Sequence, residues 1–332
     1  MSRPTFICLT PVKNEAWILE RFLACASTWA DHIVVADQAS DDATRSIAAR
    51  FPKAVVIDNS SPRYDEAARQ RLLLDAARRI PAERRVLIAL DADEMLTANG
   101  SASPEWARVA DAAPGTVLKF DWVNVAPGVE RGWTEASVPF GFVDDGSPHE
   151  GRVIHSTRLP TPDGAPVLAL AEVKVLHYQY TNWARMQSKQ RWYQCWERLE
   201  HPAKRAVTIF RQYNFMEAAF ARAAPLNPEW TAGYERQGID MRTVADEPHY
   251  RWDRDVLAFL TAHGPERFRR LPVWDVDWTA LNDALGVAPG RAFPDPRTGF
   301  DKHVHAWLAK TQARADTPSV RLVQKALQPL GW

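Results

Sequence analysis

The sequence predicts an α/β protein with a parallel sheet covered by helices on both faces and a mainly helical C-terminal extension. Three observations lead to this fold class. Over residues 5–90, short apolar runs alternate with segments whose apolar residues recur at helical spacing. The connections between these segments are short, which favours parallel strands covered by helices on both faces. After residue 182 the apolar spacing is mainly helical, with breaks at proline-rich stretches.

The N-terminal part of the sequence predicts strands and helices in alternation. Each strand is an apolar run bounded by turn-forming residues, and these runs are residues 5–10, 32–37, 54–58 and 85–90. Each helix has an apolar stripe, and the helical segments are residues 14–29, 41–51 and 64–79. We expect these elements to form the parallel part of the sheet.

The pattern is less regular after residue 95. Ser103, Pro104 and Glu105 are typical of a helix start, since they supply a cap, a proline and an acidic residue in the first turn. Further strands are predicted at residues 116–125, 138–143, 152–156 and 173–177. We place a domain boundary near residue 200, which gives a first domain at 1–200 and a helical extension at 201–332 packed on it.

The overall composition narrows the classes of function. The 332 residues include 41 basic and 41 acidic side chains, so the formal net charge is zero. A neutral chain does not favour a nucleic acid, or an anionic membrane, as a partner held by bulk electrostatics. No apolar run approaches the roughly 20 residues that span a bilayer, and the N-terminus does not resemble a secretory signal. Together with three widely spaced cysteines, these features predict a cytoplasmic protein without a transmembrane segment; peripheral membrane contact stays open.

Carboxylates follow two of the predicted strands, at the edge where an open parallel sheet binds ligands. Asp37 ends the second strand, and Asp91 and Asp93 follow the fourth. Two further D-x-D tripeptides, at residues 253–255 and 275–277, do not follow such a strand, and an acidic turn explains them. Two carboxylates flanking one residue can face Mg²⁺ or Mn²⁺, which would bridge the phosphates of a ligand. The sequence has no glycine-rich dinucleotide or P-loop motif, which argues against hydride transfer and P-loop kinase chemistry.

Three segments, taken together and in order, resemble the family 2 glycosyltransferases. They are LTPVKNE at residues 9–15, VVADQASDDAT at 34–44 and LDADE at 90–94. The resemblance extends over residues 5–97, is weaker to about residue 200 and does not reach the rest of the chain. It implies a nucleotide-diphospho-sugar transferase domain of the GT-A type, with a central mixed, mostly parallel sheet. It also implies a metal-dependent, inverting transfer of a sugar from a nucleotide-diphosphate donor, usually a UDP-sugar, to a saccharide or glycolipid hydroxyl, as in cell-surface glycan or lipopolysaccharide assembly.

The resemblance also assigns roles to individual positions. The residues that it places around the nucleotide are Pro11, Asn14, Glu15, Asp37, Arg69 and Asp91. Among them, Asp37 would accept a hydrogen bond from the nucleobase, and Asp91 would contact the ribose or the metal. Asp93 would ligate Mn²⁺ or Mg²⁺ directly. After Asp37, the second aspartate and the glycine that are usual in the family are replaced by Gln38 and Ala39.

Two later segments supply candidates for the rest of the site. His177 ends an apolar run and precedes a helix, and the family often supplies a histidine ligand for the metal at a similar place. A buried structural histidine is the alternative. In the following helix, Arg185 and Lys189 share one face, and Trp192 lies close to it. This face would clamp the diphosphate and stack on a ring, unless it is an ordinary solvated basic face.

An inverting transfer requires a base that removes the proton of the attacking hydroxyl. The acidic loop at residues 144–151 contains the candidates. Glu150 is the first choice because it sits just before a predicted strand, and Asp145 is the second. The position of Asp145 beside Gly146 is also typical of a turn.

Two other functions remain open from the sequence. A sugar-phosphate nucleotidyltransferase has a related half-sheet, but it usually carries a glycine-rich loop after the first strand, where this chain has residues 11–15 without a glycine. A non-catalytic carbohydrate-binding protein is suggested by the 14 tryptophans, since aromatic rings stack on sugars.

Overall fold

The computed structural model divides into two compact units. It describes residues 3–61, 65–153, 156–245 and 247–332. The first unit consists of Met1–Thr181 and Ala224–Ala245, and the second of Asn182–Ala223 and Asp246–Trp332. The boundary predicted near residue 200 differs from these division points, because the second unit begins at residue 182 and residues 224–245 return to the first.

Among the described residues, nine strands of the first unit form one sheet. Their bounds are β1 (Thr5–Val12), β2 (His32–Asp37), β3 (Ala54–Asp58), β4 (Arg85–Ala89), β5 (Glu94–Leu96), β6 (Val117–Val125), β7 (Arg131–Val143), β8 (Val167–His177) and β9 (Ala224–Pro225). The order across the sheet is β3-β2-β1-β4-β7-β6-β8-β5, and the short strand β9 pairs with β7.

The helices fall in both units. In chain order they are α1 (Leu19–Ser27), α2 (Thr44–Ala48), α3 (Glu66–Arg78), α4 (Pro104–Asp111), α5 (Trp183–Glu200), α6 (Ala206–Tyr213), α7 (Met216–Phe220), α8 (Glu229–Glu235), α9 (Arg251–His263), α10 (Trp278–Leu285), α11 (Gly299–Lys310) and α12 (Pro318–Ala326). The predicted α/β class, with a mixed and mostly parallel sheet and a helical C-terminal region, is confirmed.

The parallel half of the sheet is buried on both faces because its strands are continuous apolar runs. In β1, Phe6 and Cys8 contribute to the core on one face, and Ile7 and Leu9 contribute to the core on the other. None of these four residues is more than 1% exposed. Helix α3 packs on the second face through Leu73 and its apolar neighbours. Alternation along a buried strand therefore fixes the register of the elements that carry the site.

The second half of the sheet joins through β7, which is antiparallel to both β4 and β6. Strands β6 and β8 are parallel to each other, so they run in the same direction as β4, and their carboxyl ends lie at the same edge. The short strand β5 is antiparallel to β8 and pairs Glu94 with His177. On its other side, His177 pairs with Asn124 of β6. The sheet itself thus brings the residues that follow β4 next to the ends of β6 and β8.

Two predicted strands are corrected. The strand predicted at 138–143 begins earlier, at Arg131, because the polar first half of β7 still pairs with β6. The strand predicted at 152–156 is wrong for residues 152, 153 and 156, while Ile154 and His155 lie outside the described residues.

Three predicted helices also start later than expected. The helix predicted at residues 41–51 is α2, which begins at Thr44 and ends at Ala48. The helix predicted from residue 14 begins at Leu19, because Asn14 has a left-handed φ of 55° that no helix interior accepts. The helix predicted from residue 64 is α3, which begins at Glu66 with Asp65 as its cap. Tyr64 lies outside the described residues.

The second unit is helical and has its own apolar cores. Trp278 and Phe268 are buried with residues of α5, α6 and α9. Trp332 closes a smaller cluster with residues of α6 and α11. Across the part of the chain that the structure describes, no helix is both long and apolar enough to cross a bilayer. The three cysteines of the whole chain are buried and free.

Candidate active site

The loops after β1 and β2 are tied to each other at the carboxyl edge of the sheet. Asn14 and Asp41 exchange two hydrogen bonds: Asn14 Nδ2 donates to Asp41 Oδ1 at 2.6 Å, and the Asp41 N–H donates to Asn14 Oδ1 at 3.0 Å. The N–H of Glu15 donates to the Thr44 hydroxyl at 2.8 Å. Pro11, within β1, pairs with β2 just before these loops. The three residues predicted after β1 therefore lie in one connected structure at the expected edge.

Asp37 ends β2 and is buried at this same edge. Arg45 Nη1 donates to Asp37 Oδ2 at 3.3 Å and to Asp58 Oδ1 at 2.6 Å. Because Asp58 ends the neighbouring strand β3, one guanidinium joins two strand-end carboxylates. Asp37 is thus held in place by an arginine that the sequence reasoning did not single out.

The D-x-D segment after β4 is bound by Arg158. Nη2 of Arg158 donates to Asp91 Oδ2 at 3.0 Å and to Glu94 Oε1 at 2.9 Å, and Nη1 donates to Glu94 Oε2. Glu94 also accepts the backbone N–H of Asp91 through Oε2, at 2.8 Å. The guanidinium lies over the ring of Phe140, with Cζ 4.8 Å from the ring centroid. Arg158 and Glu94 together fix the conformation of this turn.

Burial and the neighbouring charges shift the pKa values of Glu94 and Arg158. It raises the pKa of Glu94 to about 7, against the opposing effect of the Arg158 charge, and the neighbouring Asp91 carboxylate adds to the rise. For Arg158, burial acts to lower the pKa, but the Asp91 and Glu94 charges outweigh it and raise the pKa above its ordinary value. The guanidinium therefore stays charged, so Arg158 is a permanent cation among the carboxylates of the site.

Asp93 and His177 meet beside this turn. Both side chains are buried, and Nε2 of His177 lies 3.8 Å from Oδ1 of Asp93. On the other side of the ring, Nδ1 of His177 is 2.7 Å from Oδ1 of Asn124. The amide orientation is set because Asn124 Nδ2 donates to Glu135 Oε2 at 3.3 Å. An amide oxygen only accepts, so Nδ1 of His177 donates this hydrogen bond, and Nε2 is the ring nitrogen that faces the Asp93 carboxylate.

Aromatic rings hold His177 in this orientation. Trp122 stacks on the imidazole with 4.7 Å between ring centroids, and Tyr180 approaches its edge at 5.9 Å. Trp133 packs on Tyr180 at 5.2 Å and donates its indole N–H to Glu135 Oε2 at 3.0 Å. Burial raises the pKa of Tyr180, so its hydroxyl stays protonated.

These residues fit a divalent cation in part. A carboxylate oxygen and an imidazole nitrogen are both ligands that divalent cations take in proteins. Histidine ligands usually donate their second ring N–H to a carbonyl, as His177 does to Asn124. Within the described ranges, no three His, Cys, Asp or Glu side chains form a complete ligand set. Asp93 and His177 would thus supply two ligands, and phosphate oxygens and water would supply the others. One oxygen of Asp91 is engaged by Arg158.

The loop at residues 144–158 separates the two predicted bases. At its start, Asp144 binds Arg78 at the end of α3, and its N–H donates to Arg85, the first residue of β4. Asp145 lies here, at the opposite end of the sheet from Asp91, about 16 Å away along the five-residue strand β4. Burial acts to raise the pKa of Asp145, but hydrogen bonds from Ser147 outweigh it and lower the pKa below its ordinary value. Asp145 is a turn residue, and its location does not fit the predicted role of base.

The same loop then runs along α3 to the carboxyl edge. A side chain at Gly151 would meet Ala67, and the N–H of Ser156 donates to Glu66 Oε2 at 2.8 Å, both in the first turn of α3. Glu150 precedes Gly151 and is exposed. Arg69, also near the start of α3, has its guanidinium 3.9 Å from the Glu66 carboxylate. Glu150 and Arg69 therefore lie on the side of the sheet where the sequence analysis expects the site.

The remaining predicted residues belong to the second unit. Arg185 is buried, with Cζ 4.7 Å from the ring centroid of Trp252, and Lys189 Nζ is 5.8 Å from the same centroid. Trp192 packs on Tyr193 and Trp196. The expectation of a shared face for Arg185 and Lys189 is met within this unit. Arg185 is not part of a solvated basic face, and the predicted clamp on a diphosphate stays a prediction.

The sequence analysis missed Glu94, Asn124, Glu135 and Arg158. Glu94 directly follows the D-x-D motif, and this position was the one feature of the sequence that could have marked it as a site residue. Arg158 lies 67 residues from Asp91, and Asn124 lies 53 residues from His177. No local pattern marks such partners, because only the sheet topology brings them together.

Comparisons with known proteins do not assign this chain to a family. No family model matches the chain, and no curated protein matches it. Among solved structures, S. aureus TarS matches at 12% identity and a TM-score of 0.34, covering 95% of this chain and 93% of that one.

Two further matches cover less of the chain. 4-Diphosphocytidyl-2C-methyl-D-erythritol synthase matches at 18% identity and a TM-score of 0.28, over 43% of this chain and 72% of that one. Glucosyl-3-phosphoglycerate synthase from Mycobacterium tuberculosis, in complex with Mn²⁺, UDP and glucosyl-3-phosphoglycerate, matches at 20% identity and a TM-score of 0.23. That match covers 28% of this chain, which spans about a third (34%) of the synthase.

Proposed function

We propose that this chain is a glycosyltransferase that moves a sugar from a nucleotide-diphosphate donor, with UDP-sugars as the first class to test, to a hydroxyl of a saccharide or glycolipid acceptor. The proposal includes inversion at the anomeric carbon and dependence on Mn²⁺ or Mg²⁺. The observation that carries it is the proximity of Asp93 Oδ1 and His177 Nε2, 3.8 Å apart, beside the D-x-D turn. The sequence resemblance supports the same reaction.

The metal proposal concerns Asp93 and His177 as ligands. When bound there, a divalent cation would neutralise negative charge on the diphosphate as it leaves. Asn124 keeps the hydrogen on Nδ1 of His177, and Trp122 holds the ring by stacking. The protein thus prepares the ligand geometry before the donor arrives, which lowers the cost of ordering these groups.

The nucleotide would bind at the carboxyl ends of β1, β2 and β4. Support comes from the linked loops after β1 and β2, with Asn14 bonded to Asp41 and Glu15 bonded to Thr44. Asp37 is the proposed acceptor for the nucleobase, Asp91 is proposed to contact the ribose, and Arg69 is proposed to contact the nucleotide from α3.

Glu150 is the proposed base. It would take the proton from the acceptor hydroxyl while the hydroxyl oxygen attacks the anomeric carbon, and the bond from that carbon to the phosphate oxygen would break with its electron pair going to the diphosphate. Its support is that it is exposed and directly precedes Gly151, which packs at the first turn of α3. Glu135, an exposed carboxylate that accepts a hydrogen bond from Asn124 Nδ2, is the comparison residue.

The tryptophans do not favour the carbohydrate-binding alternative. A platform that binds sugars needs an exposed ring face, whereas six of the 14 tryptophans are buried and the other eight are partly buried. The nucleotidyltransferase alternative can be tested separately, because that reaction consumes a nucleoside triphosphate and releases pyrophosphate, which can be measured.

The experiment is a donor screen with the full chain and Mn²⁺ present. Thermal shift against nucleotide-diphospho-sugars would identify the base and the sugar together, and release of UDP with and without candidate acceptors would follow turnover. We expect a rise in melting temperature with a UDP-sugar and slow UDP release that Asp93→Ala abolishes. Pyrophosphate release from a nucleoside triphosphate and sugar phosphate would favour the nucleotidyltransferase, and saccharide binding without turnover would favour the binding protein.

A further inference from the structure

Arg158 makes more contacts than the neutralisation of one buried acid requires. Glu94 is fully buried, so it needs a partner, and the two Arg158–Glu94 bonds satisfy both of its oxygens. Arg158 Nη2 nevertheless makes a further bond to Asp91, whose side chain is 37% exposed. Because water can solvate an aspartate with this exposure, its contact with Arg158 adds little to the free energy of folding. The contact therefore serves mainly to orient the Asp91 carboxylate.

The Arg158–Glu94 pair holds Asp91 at two points. Its side chain is held by Arg158 Nη2 at 3.0 Å, and its backbone N–H donates to Glu94 Oε2 at 2.8 Å. The guanidinium is in turn held by the carbonyl of Ala89, 3.4 Å from Nη1, and by the ring of Phe140. A planar fork fixed on this many sides sets the direction of the carboxylate that it binds.

Asp93 has a different environment. Its carboxylate lies beside His177, whose Nε2 is 3.8 Å away, and its backbone carbonyl accepts the N–H of Tyr178 at 2.7 Å. The two aspartates of the motif are thus positioned by different partners: Asp91 by Arg158 with Glu94, and Asp93 by β8.

We infer that Arg158 is a positioning residue of the donor site, which orients Asp91 for the nucleotide while Asp93 and His177 serve the cation. The inference rests on the proposed function and deepens it. It predicts that loss of Arg158 weakens nucleotide binding through Asp91 and leaves the cation requirement nearly unchanged. A purely structural role, in which Arg158 only neutralises buried Glu94, predicts instead that removing both charges together restores nucleotide binding.

Two variants separate these roles. Arg158→Lys keeps the charge but cannot bond two carboxylates with one planar fork. The double variant Glu94→Gln with Arg158→Met removes both buried charges and keeps an apolar contact with Phe140. We expect it to fold even where a single change, which leaves one buried charge without its partner, does not. Melting curves confirm the folded state before binding is measured.

The measurement is UDP affinity at saturating Mn²⁺ and, separately, the Mn²⁺ concentration that half-saturates binding at saturating UDP. We expect both variants to lose about tenfold or more in UDP affinity, the loss typical of a disturbed positioning shell, with the Mn²⁺ midpoint changed by less than about threefold. In an Asp91→Asn background the same changes should cause little further loss, because Arg158 acts through Asp91.

Wild-type affinity in the folded double variant would overturn the inference, and so would full additivity with Asp91→Asn. Failure of the proposed function gives a different result: the wild-type chain itself would not bind UDP in the presence of Mn²⁺.

Discussion

Nε2 of His177 lies 3.8 Å from Oδ1 of Asp93, and the opposite ring nitrogen lies 2.7 Å from the amide oxygen of Asn124. Strand pairing produces this relationship, since His177 ends β8 and pairs with Glu94 on one side and Asn124 on the other. The proposed function assigns Asp93 and Nε2 of His177 to one divalent cation.

Changes at His177 and Asn124 should weaken metal-dependent nucleotide binding to different degrees. His177→Ala removes a ligand and should abolish the Mn²⁺ dependence of UDP binding. Asn124→Leu removes only the partner that fixes the tautomer and should weaken the apparent Mn²⁺ affinity about 10- to 100-fold. Isothermal titration checks both, with His201→Ala, an exposed histidine after α5, as the matched control. Equal Mn²⁺ midpoints for wild type and Asn124→Leu would contradict the role assigned to the tautomer.

Replacing Ala39 by glycine should stabilise the folded protein. Its φ is 50°, in the left-handed region, where a Cβ costs about 1–2 kcal/mol. Part of this gain is offset by the greater freedom of glycine in the unfolded chain, so Ala39→Gly should raise the free energy of unfolding by about 0.5–1 kcal/mol. Urea denaturation measures it. The matched control is Ala36→Gly, in the buried strand β2, which should lower the free energy of unfolding.

Glu105 should make stability depend on pH. Its carboxylate accepts the backbone N–H groups of Ala171, Glu172 and Val173, at 2.8, 2.8 and 3.1 Å, where β8 bulges away from β6. Burial acts to raise the pKa of Glu105, but these three bonds outweigh it and lower the pKa below its ordinary value.

A carboxylate with a lowered pKa stabilises the fold above the ordinary glutamate pKa, and this contribution is lost as the pH falls through the lowered value. Glu105→Gln should therefore cost about 3 kcal/mol of unfolding free energy at neutral pH, with a smaller penalty in acid. Denaturation of both proteins across acidic and neutral pH tests this, and a penalty independent of pH would contradict it.

Much of the fold could be predicted from the sequence because apolar runs report burial directly. Strands β1 to β4 and the helices between them follow from runs such as residues 32–37. The three-residue strand β5 and the polar first half of β7 could not, since neither has an apolar pattern. The return of residues 224–245 to the first unit depends on long-range packing, which a local pattern does not encode.

The candidate site could be predicted only where its residues end strands. His177 ends β8, and Asp91 and Asp93 lie in the turn between β4 and β5. Arg158 could not be predicted, because it belongs to an irregular loop and reaches Asp91 from 67 residues away. The prediction that Asp145 lies in the site was wrong, because the sequence of an acidic loop does not show at which end of the sheet the loop lies. Strand β7 is antiparallel to β4, and this direction places Asp145 beside the start of β4.

The choice of base can be tested with two carboxamide variants. Glu150→Gln should lower kcat by about 10²–10⁴-fold with UDP affinity nearly unchanged, as expected for removal of a general base. Glu135→Gln removes the charge of a second exposed side chain without changing its size, and it should lower kcat less. Sugar transfer at saturating donor measures both. A large loss of kcat in Glu135→Gln with near-normal activity in Glu150→Gln would assign the base to Glu135 instead.

The most direct test of the central claim is calorimetric titration of UDP into the full chain with and without Mn²⁺, in wild type and in Asp93→Asn. The account predicts binding that is at least about tenfold tighter with Mn²⁺ in the wild type, as expected when a cation bridges protein and diphosphate, and no such gain in Asp93→Asn. UDP binding that is absent, or that is the same with and without Mn²⁺ in the wild-type protein, would contradict it.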